Sequence, residues 1–472
     1  MILSLLALSG GFVSSVTAET ILGVTVYSRH GDRTSKHYPG YMLTNLGLQQ
    51  NYQVGSDYRD LYISSTSPKR ILGISETKYH PTEVFGYAPD EPVLLNTATA
   101  FLQGLYPPLD TLDDEISSQS LNNGSSYTNP LHGYQYVVLH GEEKESPDTI
   151  WIKGDDECAA VTDIVDTFTA SAEYTELLDS TRSFYESFWP LLGDVYDYTE
   201  ADLSYENAYD IFDLLHTANI HNASMNGTVS EEDLFQLRTL ADGHEYRSNF
   251  NPSTPDTAIG ARTLSQAILS HLNETVTSQG RTKFSLLAGS YDTMLAFFGL
   301  MELPSASGDF YGLPEYASTM AFELFAESDE VASFPDDSED LKVRFLFRNG
   351  SDAGAGLRPF ALFGGEDEVL SWSSFVTQMQ SRAISTVAEW CDVCKSTQGF
   401  CLAETADLTA TERGSGGGGI SNAVAGLIGS VVTLAVIGVG VGAGTFLLRR
   451  RKRTTLVAGD MAEKGSLGSM SS

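Results

Sequence analysis

An imidazole stands between two guanidiniums at Arg29-His30-Gly31-Asp32-Arg33, just after an apolar, β-branched run at 21–27. Arginine forks match the oxygens of a phosphoryl group and stay charged at any working pH. They also offset the charge that spreads over the group during transfer. A neutral imidazole nitrogen can attack phosphorus and carry the group covalently. Gly31 lets backbone approach a ligand closely. The plainer alternative is a solvated loop with incidental charges. Its place after a buried strand argues against that, because open α/β sheets gather functional residues at the carboxyl ends of strands.

The elements that must position this string follow from hydrophobic periodicity. The run 21–27 reads as a buried strand, and further short strands are expected at 61–63, 134–139, 284–287 and 343–347. Helical patterns cover 163–174, 205–215, 258–272 and 375–389. Strands separated by long helical stretches predict an α/β fold with a mostly parallel sheet flanked by helices. Residues from about 155 to 280 read as an inserted, mainly helical lobe.

Arg29-His30-Gly31-Asp32-Arg33-Thr34 resembles the Arg-His-Gly-x-Arg-x-Pro signature of the histidine acid phosphatases. Leu43-Thr44-Asn45-Leu46-Gly47, Gly104-Leu105-Tyr106-Pro107-Pro108 and Ser290-Tyr291-Asp292-Thr293 are similar to other stretches of that family. So are Pro314-Glu315-Tyr316-Ala317 and Phe322-Glu323-Leu324, and the likeness spans roughly residues 21–402, in the style of membrane-anchored fungal members. The resemblance implies a phosphoglycerate mutase-like α/β domain with an inserted helical lobe, and no metal or cofactor. It implies His30 as nucleophile, Arg29 and Arg33 as phosphate ligands, and Asp292 as the acid that protonates the leaving alcohol. Read without the family, Asp292 is an N-cap type at the start of an apolar helical run.

Three departures bear on activity. Ser35 stands at the signature's proline. Tyr291 stands at the histidine of the His-Asp motif, where a phenol can donate one hydrogen bond but gives no cation. The family's further phosphate-binding arginine falls on Arg70 when counted from Ser65-Thr66, and on Val93 when counted back from Gly104. Arg70 and Tyr291 are therefore carried as phosphate-binding candidates. The expected function is a phosphomonoesterase working through phospho-His30 on a small phosphomonoester. The alternative is a catalytically degraded surface protein that binds a phosphorylated ligand or partner.

The 472 residues carry a formal net charge of −34. That excludes nucleic acid as an expected partner, since a basic patch supplies such affinity. It suits an acidic space, where carboxylates are neutralised and self-repulsion falls. Residues 1–18 read as a signal peptide, with Val16-Thr17-Ala18 as the cleavage pattern. Sequons at Asn123, Asn222, Asn226, Asn273 and Asn349 agree with export. An ectodomain over 19–404 is followed by a Gly-rich linker at 405–420 and a membrane helix at 421–448. The basic cluster from Arg449 to Arg453 makes 449–472 a cytoplasmic tail, hence a single-pass type I protein with its ectodomain outside or in the lumen of the secretory or vacuolar system. Cys158, Cys391, Cys394 and Cys401 read as disulfide partners, with three pairings open.

Overall fold

The run 21–27 is the middle of a longer strand, β1 (Thr20–Arg29), buried along nearly its whole length. Successive side chains point to opposite faces. Val24 and Val26 enter a core beneath two helices, α1 (Asn45–Tyr62) and α2 (Pro92–Leu105). Tyr27 enters the larger core on the other face, which continues into the helical lobe, and a register shift between Ile21 and Gly23 turns Leu22 to that face as well. This description comes from a computed structural model and concerns residues 19–403, except 110–113, 196, 226 and 329–330. The expected signal peptide, linker, membrane helix and tail lie outside those residues, apart from residue 19 onward of the ectodomain. Among the described residues no helix is long and apolar enough to cross a membrane.

Seven further strands complete the main sheet: β2 (Val84–Pro89), β3 (His140–Glu142), β4 (Phe284–Gly289), β5 (Thr319–Ala326), β6 (Leu341–Arg348), β7 (Arg358–Pro359) and β8 (Val369–Ser371). Their order is β8-β6-β5-β1-β4-β2-β3, with β7 also paired to β6. From β1 outward through β4, β2 and β3 the pairs are parallel. From β1 through β5, β6, β7 and β8 they are antiparallel. The sheet is thus mixed rather than mostly parallel. Between β5 and β6 the described residues carry no α-helix, only a 3₁₀ turn at Ser338–Asp340, and these two strands pair directly as antiparallel neighbours.

Other expectations are also corrected. Residues 61–63 are the end and cap of α1, not a strand. Residues 134–139 form no ladder, and the pairing begins at His140. The lobe follows the sequence reading: α3 (Ala159–Thr169), α4 (Ala172–Glu186), α5 (Ala208–His221) and α6 (Glu231–Asn249) build it. The next helix, α7 (Ile259–Thr277), returns to the sheet, with Thr275 against Gly23 of β1. After β4 comes α8 (Tyr291–Leu300), and α9 (Trp372–Arg382) and α10 (Val387–Cys394) close the fold. Cys158 is bridged to Cys394, and Cys391 and Cys401 are also disulfide-bonded.

Candidate active site

β1 and β4 lie side by side and parallel, with Arg29 opposite Gly289. Their carboxyl ends therefore release His30 and the Ser290-Tyr291-Asp292 stretch at one edge of the sheet. His30 and Asp292 line a single cavity of about 60 Å³, together with Lys36, Glu91, Val93 and Lys153 among others.

The loop carrying His30 is clamped from two sides. From α1, Asn51 Oδ1 accepts the Gly31 amide at 2.7 Å, Asn51 Nδ2 donates to the Arg29 carbonyl at 3.2 Å, and Gln50 Oε1 accepts the Asp32 amide at 2.7 Å. Thr44 caps α1 by accepting the Gly47 amide at 3.1 Å. A Cβ on Gly47 would run into the Asp32 carbonyl, and one on Gly31 into the Gly47 carbonyl. The Leu43–Gly47 stretch thus lets the helix start press directly on the loop. From the opposite side, the Ala317 amide donates to the His30 carbonyl at 2.9 Å, and the Pro314 carbonyl accepts from Arg29. Ala317 has φ 60°, a left-handed conformation that costs an alanine about 1–2 kcal/mol.

His30 Nδ1 lies 2.8 Å from the Gly31 carbonyl. A carbonyl can only accept, so Nδ1 carries the proton and Nε2 presents a lone pair. Nε2 is buried and has no hydrogen-bond partner. Burial, then the charges of Arg29, Arg33 and Lys36, push the imidazole well below its ordinary pKa. The neutral form of the ring is thereby favoured.

The two arginines differ. The Arg29 guanidinium sits 5.1 Å from the Tyr291 ring and 4.8 Å from the Tyr316 ring, with Nε unpartnered. Arg33 is buried and forks onto Asp213 of α5, at 3.1 Å and 3.0 Å, while also donating to Tyr209 at 2.8 Å. Asp213 further accepts the Ser35 hydroxyl at 2.7 Å and the Lys36 amide at 2.9 Å. The serine at the signature's proline thus has a partner of its own.

Asp292 accepts the Thr293 amide at 2.9 Å and the Ser290 hydroxyl. Ser290, not Asp292, is the N-cap of α8. Burial alone would raise the Asp292 carboxyl, but the Lys36 ammonium and these hydrogen bonds outweigh it and hold it below the ordinary value. Asp155 has Oδ1 buried without a partner, and burial, then the Asp292 charge, push its carboxyl up to about 7.

Tyr291 does not offer its hydroxyl to a ligand: it donates to Glu245 of α6 at 2.9 Å. Arg70 is not part of this cluster. It donates to the Ile74 carbonyl at 2.7 Å, and the neighbouring Leu72 amide binds the Ile21 carbonyl at the amino end of β1. The strand from Ile21 to Arg29 spans about 26 Å. Of the two counts for the further arginine, the one ending on Val93 leads to the cavity. The sequence reading missed Lys36, Asn51, Asp213, Glu245 and Tyr316. For Asp213 one signal existed, an acid inside the apolar run from Ile211 to Leu215.

Residues 36–348 match the family model of the histidine phosphatase superfamily, branch 2. The chain belongs to this superfamily. The match begins just after Arg33, so the signature itself rests on the geometry above. Lysosomal acid phosphatase of Xenopus laevis is 24% identical over 344 residues, covering 70% of this chain and 69% of the relative. The human lysosomal acid phosphatase is 25% identical over 358 residues, with coverages of 71% and 72%. Among solved structures, the phytase of Hafnia alvei in its apo form has a TM-score of 0.52 at 14% identity, covering 78% of this chain and 98% of the phytase. That likeness concerns the fold of this branch 2 member. As a histidine phosphatase with His30 and Asp292 on one cavity, the chain is a histidine acid phosphatase-like phosphomonoesterase.

Proposed function

We propose that this phosphomonoesterase works in two steps through His30 Nε2. In the first, an Nε2–P bond forms as the ester P–O bond breaks, and Asp292 gives its proton to the departing alcohol. In the second, water attacks phosphorus, its proton passes to Asp292, and the Nε2–P bond breaks to release phosphate. The Gly31 carbonyl, accepting from Nδ1, stabilises the cationic ring while the phosphoryl group is attached. Arg29 faces the charge developing on the phosphoryl oxygens.

The observation that carries the reading is a buried imidazole with Nε2 unpartnered, on a residue that lines the same cavity as Asp292. The lowered pKa of both groups gives the reading a direction. His30 remains a nucleophile in acid, and Asp292 acquires its proton only there. An incoming phosphate anion raises Asp292 further toward the protonated form. Activity on small phosphomonoesters in an acidic compartment follows.

We also propose a type I membrane anchor through 421–448, with the ectodomain in an acidic secretory-pathway lumen or at the surface. The four described sequon asparagines, Asn123, Asn222, Asn273 and Asn349, are all exposed, and the disulfides suit an oxidising compartment. Two relatives carry the word lysosomal in their names. The test is phosphate release by the full-length protein and its His30→Ala variant. Rapid quenching with radiolabelled substrate should trap alkali-stable label on the wild type and none on the variant. Turnover surviving in folded His30→Ala would remove the mechanism.

A further inference from the structure

The phosphate site lacks two cations that the resemblance leads one to expect. Tyr291 occupies one place and Val93 the other, and Arg33 is neutralised by Asp213. Yet a third cation is present. Lys36 lies three residues beyond Arg33, in a backbone stretch that Asp213 fixes through the Lys36 amide. Its side chain lines the His30–Asp292 cavity. Nζ lies 4.8 Å from the Tyr291 ring centroid and 5.9 Å from that of Tyr209. Among the described residues the ammonium has no ion pair and no hydrogen bond.

Asp292 and Glu245 face this ammonium without pairing with it, and a part-buried ammonium lacking a direct partner is costly until an anion reaches it. We propose that Lys36 Nζ is a phosphate-binding group of this enzyme, supplying from the signature loop the charge absent at Tyr291 and Val93. The proposal rests on the reading of the cavity as a phosphoryl site. Tyr291 takes a different part in it: not a missing ligand, but an aromatic face that holds Arg29 and Lys36 beside the cavity, fixed by its hydrogen bond to Glu245. The groups facing Lys36 are consistent with this. Burial pulls its pKa down, Asp292 and Glu245 pull it up, and Arg33 and Arg29 pull it down again. A bound phosphate would sit with Arg29 and Lys36, which have no direct ion pair among the described residues.

Binding of inorganic phosphate, measured by calorimetry on the full-length protein at about pH 5, tests this without requiring turnover. Lys36→Met should weaken phosphate binding about tenfold or more, and Lys36→Arg should stay within about threefold of wild type. A merely structural lysine would not give that split. If Lys36→Met does not fold, Lys36→Gln replaces it. Unchanged affinity in a folded Lys36→Met or Lys36→Gln protein overturns the proposal, and so does a wild type that binds no phosphate. A wild type that binds phosphate through Lys36 but hydrolyses no phosphomonoester would instead overturn the catalytic reading alone.

Discussion

On the sheet side of the site, His30 keeps Nε2 bare and lines one cavity with Asp292. On the lobe side, Asp213 and Glu245 hold Arg33 and Tyr291 in fixed partnerships. One wall reacts and the other positions. The reacting wall is anchored to strand ends by backbone hydrogen bonds and by glycine contacts that admit no side chain. The positioning wall is made of side chains on helices far away in sequence, and it sets which cations remain available.

The sharpest way to break this contrast is at Asp292. Asp292→Asn should lower kcat by about 10²–10⁴ for an alkyl phosphate, whose leaving alcohol needs a proton. The loss should be much smaller for p-nitrophenyl phosphate, whose leaving group does not. Equal losses on the two substrates would deny Asp292 the acid role. The wild-type rate on the alkyl substrate should also fall as pH rises toward neutrality, because the carboxyl is held low and gives up its proton early.

Next in size is the lobe wall. Asp213→Asn leaves the buried Arg33 charge without its counter-charge, which should destabilise the fold by about 3 kcal/mol in urea denaturation. The effect on kcat should be smaller than at Asp292. A variant as stable as wild type would show that the pair is not part of the scaffold.

The smallest expected effect concerns Asp155. Its folded-state value, about 7, lies above the ordinary aspartate value, so the folded chain keeps a proton that the unfolded chain releases. Its contribution is therefore greatest in acid and is lost as pH climbs from about 4 through 7. Asp155→Asn should reduce this decline, as read by urea denaturation at about pH 4 and about pH 7. A decline of the same size in the variant would assign it to other groups.

How much of this was legible depends on how local the signal is. Arg29, His30 and Arg33 follow a strand with an unambiguous apolar run, and Asp292 follows another, so strand ends alone bring them together. β2 was missed because Gly86 and Pro89 interrupt its pattern. Residues 61–63 looked like a strand because α1 is polar, with Gly47 pressed on the loop backbone at Asp32 and Gly55 on the α2 backbone at Phe101. β5 was quoted for its resemblance and not read as a strand, which hid the antiparallel half of the sheet. Arg70 was placed by counting, and counting fails where loops differ in length. Lys36 gave no sign because one lysine in an exposed-looking loop is unremarkable until Asp213 and Tyr291 are in place.

The Cys158–Cys394 bridge joins residues 236 positions apart, and the Trp390 indole donates to the Gly154 carbonyl at 2.8 Å beside it. Exposed loop tips are where a protease cuts a folded protein. Any single cut between these two cysteines yields fragments that remain covalently one molecule, with the His30 piece still tied to the Asp292 piece. The enzyme can therefore be nicked in its lobe and migrate as two bands only after reduction, while its strand ends stay in register.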